Sequence, residues 1–122
     1  MKFYTDIEQS KKLAEILPLE SADMSYAWDF DDERYYINIG KFSNWRVPKY
    51  AESAKHKQVI PCWSLSALMD VLPYPSIHKH ADETWWCDAW VDKVNPYSLR
   101  HFKTPVDACV AMIEELHEQK LL

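Results

Sequence analysis

Residues 84–92 read TWWCDAWVD and predict the central feature of the fold, a strand that begins a hairpin. Its side chains alternate between two faces, which is the period of a β-strand with one face buried. We expect the core face to carry Trp85, Cys87, Ala89 and Val91, and the opposite face Trp86, Asp88, Trp90 and Asp92. Asn95 and Pro96 mark a turn, after which residues 97–102 can pair back as the second strand of a hairpin.

A second hairpin is expected nearer the N-terminus. Residues 24–30 alternate, with Met24, Tyr26, Trp28 and Phe30 on one face. Residues 31–33 read DDE and supply a polar turn. Residues 34–39 then return as a strand with Tyr35, Ile37 and Ile39 on one face.

Three helices are predicted around these hairpins. The first covers residues 6–17, with Thr5 as N-cap and Glu8 three residues later as its capping-box partner. The second covers residues 64–72 and carries apolar side chains at i, i+3, i+4 and i+7. The third follows Thr104 as N-cap and Pro105 at the first helical position.

The element order α-β-β-α-β-β-α predicts an α+β protein. Four strands in two hairpins favour a single antiparallel sheet of about four strands, covered by the three helices. A chain of 122 residues is too short for two independent cores to be expected, so residues 1–122 are predicted to form a single domain.

Composition excludes several classes of protein. Gly40 is the only glycine, so no glycine-rich phosphate loop can be built. No run of 18 apolar residues is present and residues 1–8 lack an apolar segment, so we expect neither a membrane span nor a secretory signal. The three cysteines have no metal-pair spacing and point to inert thiols in a reducing cytoplasm.

Charge is uneven along the chain, whose net charge is −5. Residues 41–60 hold five basic groups and one acidic group, interleaved with aromatic side chains. Trp45 and Arg46, helped by Lys41, Lys49 and Tyr50, could grip single-stranded nucleic acid by stacking and phosphate contact. The alternative is a solvated connection with an aromatic side chain packed on the domain. The acidic remainder of the chain would repel a polyanion, so a nucleic-acid partner is not expected.

Candidate catalytic and metal-binding side chains are sparse. His78, His80 and Asp82, with His101 near, could bind a transition metal, but an exposed polar loop explains the same residues. Cys87 beside His101 could form a nucleophile and base, although Cys87 falls on the core face, where a thiolate is disfavoured. The sequence therefore predicts no catalytic residue, no metal site, no cofactor and no enzymatic activity.

Residues 61–73, PCWSLSALMDVLP, resemble a motif of small uncharacterised bacterial proteins, often encoded in prophages and mobile elements. Those proteins carry the pattern P-x-W-S-L-S-A-L-x-x-x-L-P in mid-chain. Weaker similarities are Ala22-Asp23-Met24 and residues 104–108, TPVDA, in the same order. The resemblance covers about a third of the chain in patches and implies a bacterial cytoplasmic accessory protein. It transfers no functional residue.

Trp86, Asp88 and Trp90 are the most informative candidate site. If the alternate residues of this strand face the core, two tryptophans face away from it, and tryptophan is enriched at binding surfaces. The alternative is that a helix or residues 41–60 cover them. The sequence thus favours a non-enzymatic interaction protein that binds a protein partner or a second copy of itself. The alternatives are a nucleic-acid accessory protein and a metal-binding protein or hydrolase.

Overall fold

The structure is a computed structural model that describes residues 1–40 and 59–122. The chain divides into two compact units. The N-terminal unit is Asp6–Ser64, and the C-terminal unit joins Met1–Thr5 to Leu65–Leu122. The α+β class is confirmed, with three α-helices and six strands in the described residues. The single domain expected from the chain length stays a prediction.

The N-terminal unit holds one α-helix and one three-stranded sheet in its described part. Its elements are α1 (Ile7–Ala14), a 3-10 turn (Leu19–Ser21), β1 (Met24–Asp29), β2 (Arg34–Ile39) and β3 (Val59–Cys62). The strands are antiparallel in the order β2-β1-β3, so β1 is central.

The start of α1 corrects the sequence prediction. Asp6, and not Thr5, is the N-cap: its carboxylate accepts the Gln9 N–H at 2.8 Å, and the Gln9 side chain accepts the Asp6 N–H at 3.1 Å. Thr5 with Glu8 and Asp6 with Gln9 both have the spacing of a capping box. Asp6 is the cap because aspartate is a stronger N-cap than threonine and because Thr5 is fully buried. The helix ends at Ala14, before the expected position 17.

The predicted hairpin of β1 and β2 is confirmed. Trp28 lies opposite Tyr35, and their rings meet edge to face at 5.0 Å. In the turn, an Asp29 carboxylate oxygen accepts the N–H groups of Asp31 and Asp32. Gly40 closes the strand at φ 129°, which only glycine adopts freely, and its N–H bonds the Asp23 carbonyl.

Trp63 and Ser64 anchor the start of the mid-chain motif within the N-terminal unit. Trp63 is fully buried, and its indole N–H donates to Ser21 Oγ at 2.9 Å. Ser64 donates its N–H and its hydroxyl to the two carboxylate oxygens of Asp23. Two segments that carry the family resemblance, 22–24 and 61–73, are therefore in direct contact.

The C-terminal unit holds two α-helices and a second three-stranded sheet. Its elements are α2 (Leu65–Val71), β4 (Ser76–Lys79), β5 (Trp85–Trp90), β6 (Pro96–Phe102) and α3 (Pro105–Glu118). The strands are antiparallel in the order β4-β5-β6. Thr104 caps α3 by accepting the Asp107 N–H at 3.1 Å, as predicted.

Two separate three-stranded sheets replace the single sheet of about four strands. Each predicted hairpin is present, but each has gained a four-residue strand: β3 beside β1, and β4 beside β5. Neither short strand has a periodic pattern. β3 contains Pro61, and β4 reads SIHK with one apolar residue, so only pairing with a neighbour makes them strands.

Candidate functional site

The candidate site is the face of β4-β5-β6 opposite α3. Cys87 and Ala89 are fully buried on the α3 side of β5, as predicted, whereas Val91, also expected on the core face, lies beyond the end of β5 and is 37% exposed. Trp90, on the other side, is 38% exposed. We call this side the outer face. It carries Ser76, His78, Trp86, Asp88, Trp90, Ser98 and Arg100.

Asp88 lies at the centre of the outer face and bonds across both neighbouring strands. One carboxylate oxygen accepts from Ser98 Oγ on β6, and the other lies 3.0 Å from His78 Nε2 on β4. Partial burial would raise the pKa of Asp88, but the bonds from Ser98 and His78 and the charge of Arg100 outweigh it and lower the pKa. Asp88 is thus an ionised group whose acceptors are engaged within the sheet.

Trp86 is held between side chains from the two flanking strands. The His80 ring, one residue beyond β4, stacks on it at 3.4 Å and 19°. The Arg100 guanidinium, on β6, lies 4.3 Å from the ring centroid, which is cation–π distance. His101 meets the indole edge to face at 5.7 Å. These contacts fix the position of Arg100 before any ligand arrives.

A β-bulge in β6 brings His101 into this arrangement. Trp85 pairs with Phe102 and Cys87 with Leu99, so Arg100 and His101 both lie opposite Trp86. His101 has φ 72°, a left-handed conformation that a residue other than glycine adopts at a cost. Its ring reaches Asp82 at 3.4 Å. The register of Asp88 with Ser98 and of Cys87 with Leu99 by itself continues to Arg100 opposite Trp86, and the bulge adds His101 beside it.

The far end of the outer face is apolar. The backbone N–H of Trp90 donates to the Pro73 carbonyl at 3.0 Å, which places the turn that contains Tyr74 beside the end of β5. Exposed apolar side chains belong to this turn, to the last residue of β5 and to the β5–β6 connection. We call them the apolar end: Tyr74 (84% exposed), Val94 (77%), Trp90 (38%) and Val91 (37%).

The structure brings Asp82 and His101 within 3.4 Å of each other but does not gather the candidate metal ligands into one group. His78 bonds Asp88, His80 stacks on Trp86, and Asp82 accepts the N–H and hydroxyl of Thr84. In residues 1–40 and 59–122, no three His, Cys, Asp or Glu side chains form a group able to hold a metal ion.

Nor does the geometry form a nucleophile with its base. Ser76 Oγ and Asp88 both contact the same nitrogen of His78, whereas a Ser-His-Asp triad needs one partner on each nitrogen. Cys87 is fully buried on the face opposite His101. A hydrogen bond with Cys87, together with burial, raises the pKa of the Cys109 thiol, so this thiol stays protonated.

Three participants were missed in the sequence: His80 as a stacking partner, and Ser98 and Arg100 on β6. The i, i+2 spacing of Ser98 and Arg100 places them on one face and could have revealed them. The bulge that adds His101 beside Trp86 has no sequence signal. Trp45 and Arg46, the other predicted binding residues, lie outside the described residues.

No protein-family model matches the chain, and no curated protein or solved structure matches it. Within the part of the chain that the structure describes, no helix combines the length and the apolar character needed to cross a membrane.

Proposed function

We propose that this chain is a non-enzymatic protein that binds a segment of another protein on the outer face of β4-β5-β6. The observation that carries the proposal is the exposure of Trp90 on the same sheet face as Arg100, which Trp86 holds in place. Tryptophan and arginine dominate the energetics of protein interfaces. The resemblance to bacterial accessory proteins supports the same reading and a cytoplasmic location.

The outer face is preorganised, which lowers the entropy cost of binding. Ser98, His78 and the two groups on Trp86 are already engaged with neighbours across the sheet. A partner would therefore order few further side chains on this face, and more of the contact energy would appear as affinity.

Arg100 indicates the chemistry of the partner. Its guanidinium carbon lies over the Trp86 ring, yet among the described residues no hydrogen bond engages its N–H groups. Those donors form a planar fork that matches a carboxylate. We expect the partner segment to present a carboxylate to Arg100 and an apolar side chain to the apolar end.

Site-specific photo-crosslinking in the native host tests the proposal. A benzoylphenylalanine at position 90 should link to one defined protein, and the added Arg100→Gln substitution should weaken that link at least tenfold. The matched control places the same residue at position 30, where Phe30 is 55% exposed in the N-terminal unit. Equal products from both positions, or a product at position 90 that ignores Arg100→Gln, would contradict the proposal.

A further inference from the structure

The four outer strand edges of the two sheets differ in how they resist pairing with another chain. An unprotected edge offers free N–H and C=O groups, so natural sheets shorten edge strands or place proline, lysine or bulges there. β3 contains Pro61, β4 has four residues and ends in Lys79, and β6 begins at Pro96 and is bulged. Three of the four edges are protected in this way.

β2 carries none of these features. It has six residues, RYYINI, and pairs with β1 in unbroken register from Arg34 to Ile39. In the described residues no strand pairs with its other edge. Its only charge is Arg34, at the first position, while Tyr36 is 46% and Ile39 82% exposed. High β-propensity without a central charge is typical of a strand that pairs with another strand.

We infer that β2 binds β2 of a second copy of this chain, antiparallel and around a two-fold axis. The axis stands perpendicular to the sheet, so residues opposite each other must share a face, and their numbers must have an even sum. With the axis at Ile37, Tyr35 lies opposite Ile39 of the second copy and Tyr36 opposite Asn38. Aromatic and β-branched side chains pair favourably in this way.

Charge compatibility points to a second copy as the occupant. The turn before β2 is acidic, with Asp31, Asp32 and Glu33 exposed at the hairpin tip. Antiparallel pairing of the two β2 strands places the two acidic tips at opposite ends of the strand pair. It also places Arg34 opposite the uncharged Gly40 of the second copy. The uncharged middle of β2 then pairs with the same residues of the second copy. The N-terminal sheets of the two copies thereby form one sheet of six strands.

Light scattering and crosslinking together test the inference. The wild-type chain should reach about 29 kDa, twice its 14.5 kDa, as concentration rises. In the proposed register the two Cα atoms at position 36 lie about 8 Å apart, and those at position 30 more than about 20 Å. Tyr36→Cys should therefore give a covalent dimer with a short bis-maleimide, whereas the matched Phe30→Cys should not.

Three results would overturn the inferred pairing of β2 with β2. A chain that stays monomeric up to its solubility limit overturns the inference. So does a dimer in which Tyr36→Cys fails to crosslink, or in which Phe30→Cys crosslinks equally well. Wild-type protein controls for the three native cysteines, which are all buried. The site is independent of the outer face, so this result and the crosslink from position 90 can fail separately.

Discussion

Asp88 shows how one carboxylate organises a sheet surface. It joins β4 to β6 through His78 and Ser98, and Arg100 adds a favourable charge. The same residue looked from the sequence like a polar member of an exposed alternation. Its role depends on partners ten residues away in either direction, which meet it only because β5 is the central strand.

Asp88 also gives stability a defined pH dependence. Its pKa is lowered in the folded protein, so its contribution is present above the unfolded value near 3.9 and disappears as pH falls through the folded pKa. At pH 6, Asp88→Asn should have a lower free energy of unfolding than wild type. This difference in free energy should become smaller below about pH 4. Urea unfolding between pH 6 and pH 2.5 measures it.

The matched control for that prediction is Asp31→Asn, which removes one exposed negative charge and, within the described residues, no side-chain hydrogen bond. A gap between wild type and Asp88→Asn that stays constant across the whole pH range would contradict the role given to the carboxylate.

At the scale of elements, the end of α3 is a Schellman motif without its usual glycine. The Leu121 N–H bonds the Leu116 carbonyl at 2.8 Å, and the Lys120 N–H bonds that of His117 at 3.0 Å. Lys120 has φ 60°, the left-handed conformation that glycine adopts freely. The helix therefore ends in the expected geometry at some conformational cost.

Lys120→Gly should raise the free energy of unfolding by about 0.5–1 kcal/mol, because glycine removes that cost. Thermal or urea unfolding measures the change. Lys120→Ala removes the same charged side chain but keeps the Cβ atom, so it should give no such gain. If both variants stabilise the protein equally, loss of charge and not backbone strain would be the cause.

At the scale of the whole molecule, each unit has a strand that is paired on both sides. β1 lies between β2 and β3, and β5 between β4 and β6. Central strands open only when the ladders on both sides break, whereas an edge strand can detach alone. The two sheets should therefore each have a slowly exchanging centre.

Hydrogen exchange followed by NMR should find slower amides in β5 than in β4. The Cys87 and Ala89 amides belong to fully buried residues, while His78 and Lys79 are exposed. Faster or equal exchange in β5 would mean that the C-terminal sheet opens as one piece. At concentrations that favour a dimer, added protection confined to β2 would agree with the inferred pairing.

Side-chain patterns within short stretches of the chain were sufficient to predict some of the strands and the start of one helix. Alternation over 24–39 and 84–92 specified β1, β2 and β5, and the turn at Asn95 and Pro96 indicated β6. The cap at Thr104 specified the start of α3, because side-chain periodicity and capping act over a few residues. The alternation also placed Trp86, Asp88 and Trp90 on one face correctly.

The two short strands, the number of sheets and the contacts around Trp86 depend on tertiary pairing. The strands β3 and β4 exist through pairing alone, and their addition turned one expected sheet into two. Arg100 and His80 reach Trp86 because the pairing of β4 and β6 with β5 brings together residues that are distant in sequence. Such long-range pairing leaves no periodic trace in the chain, since it depends on which neighbour each strand finds.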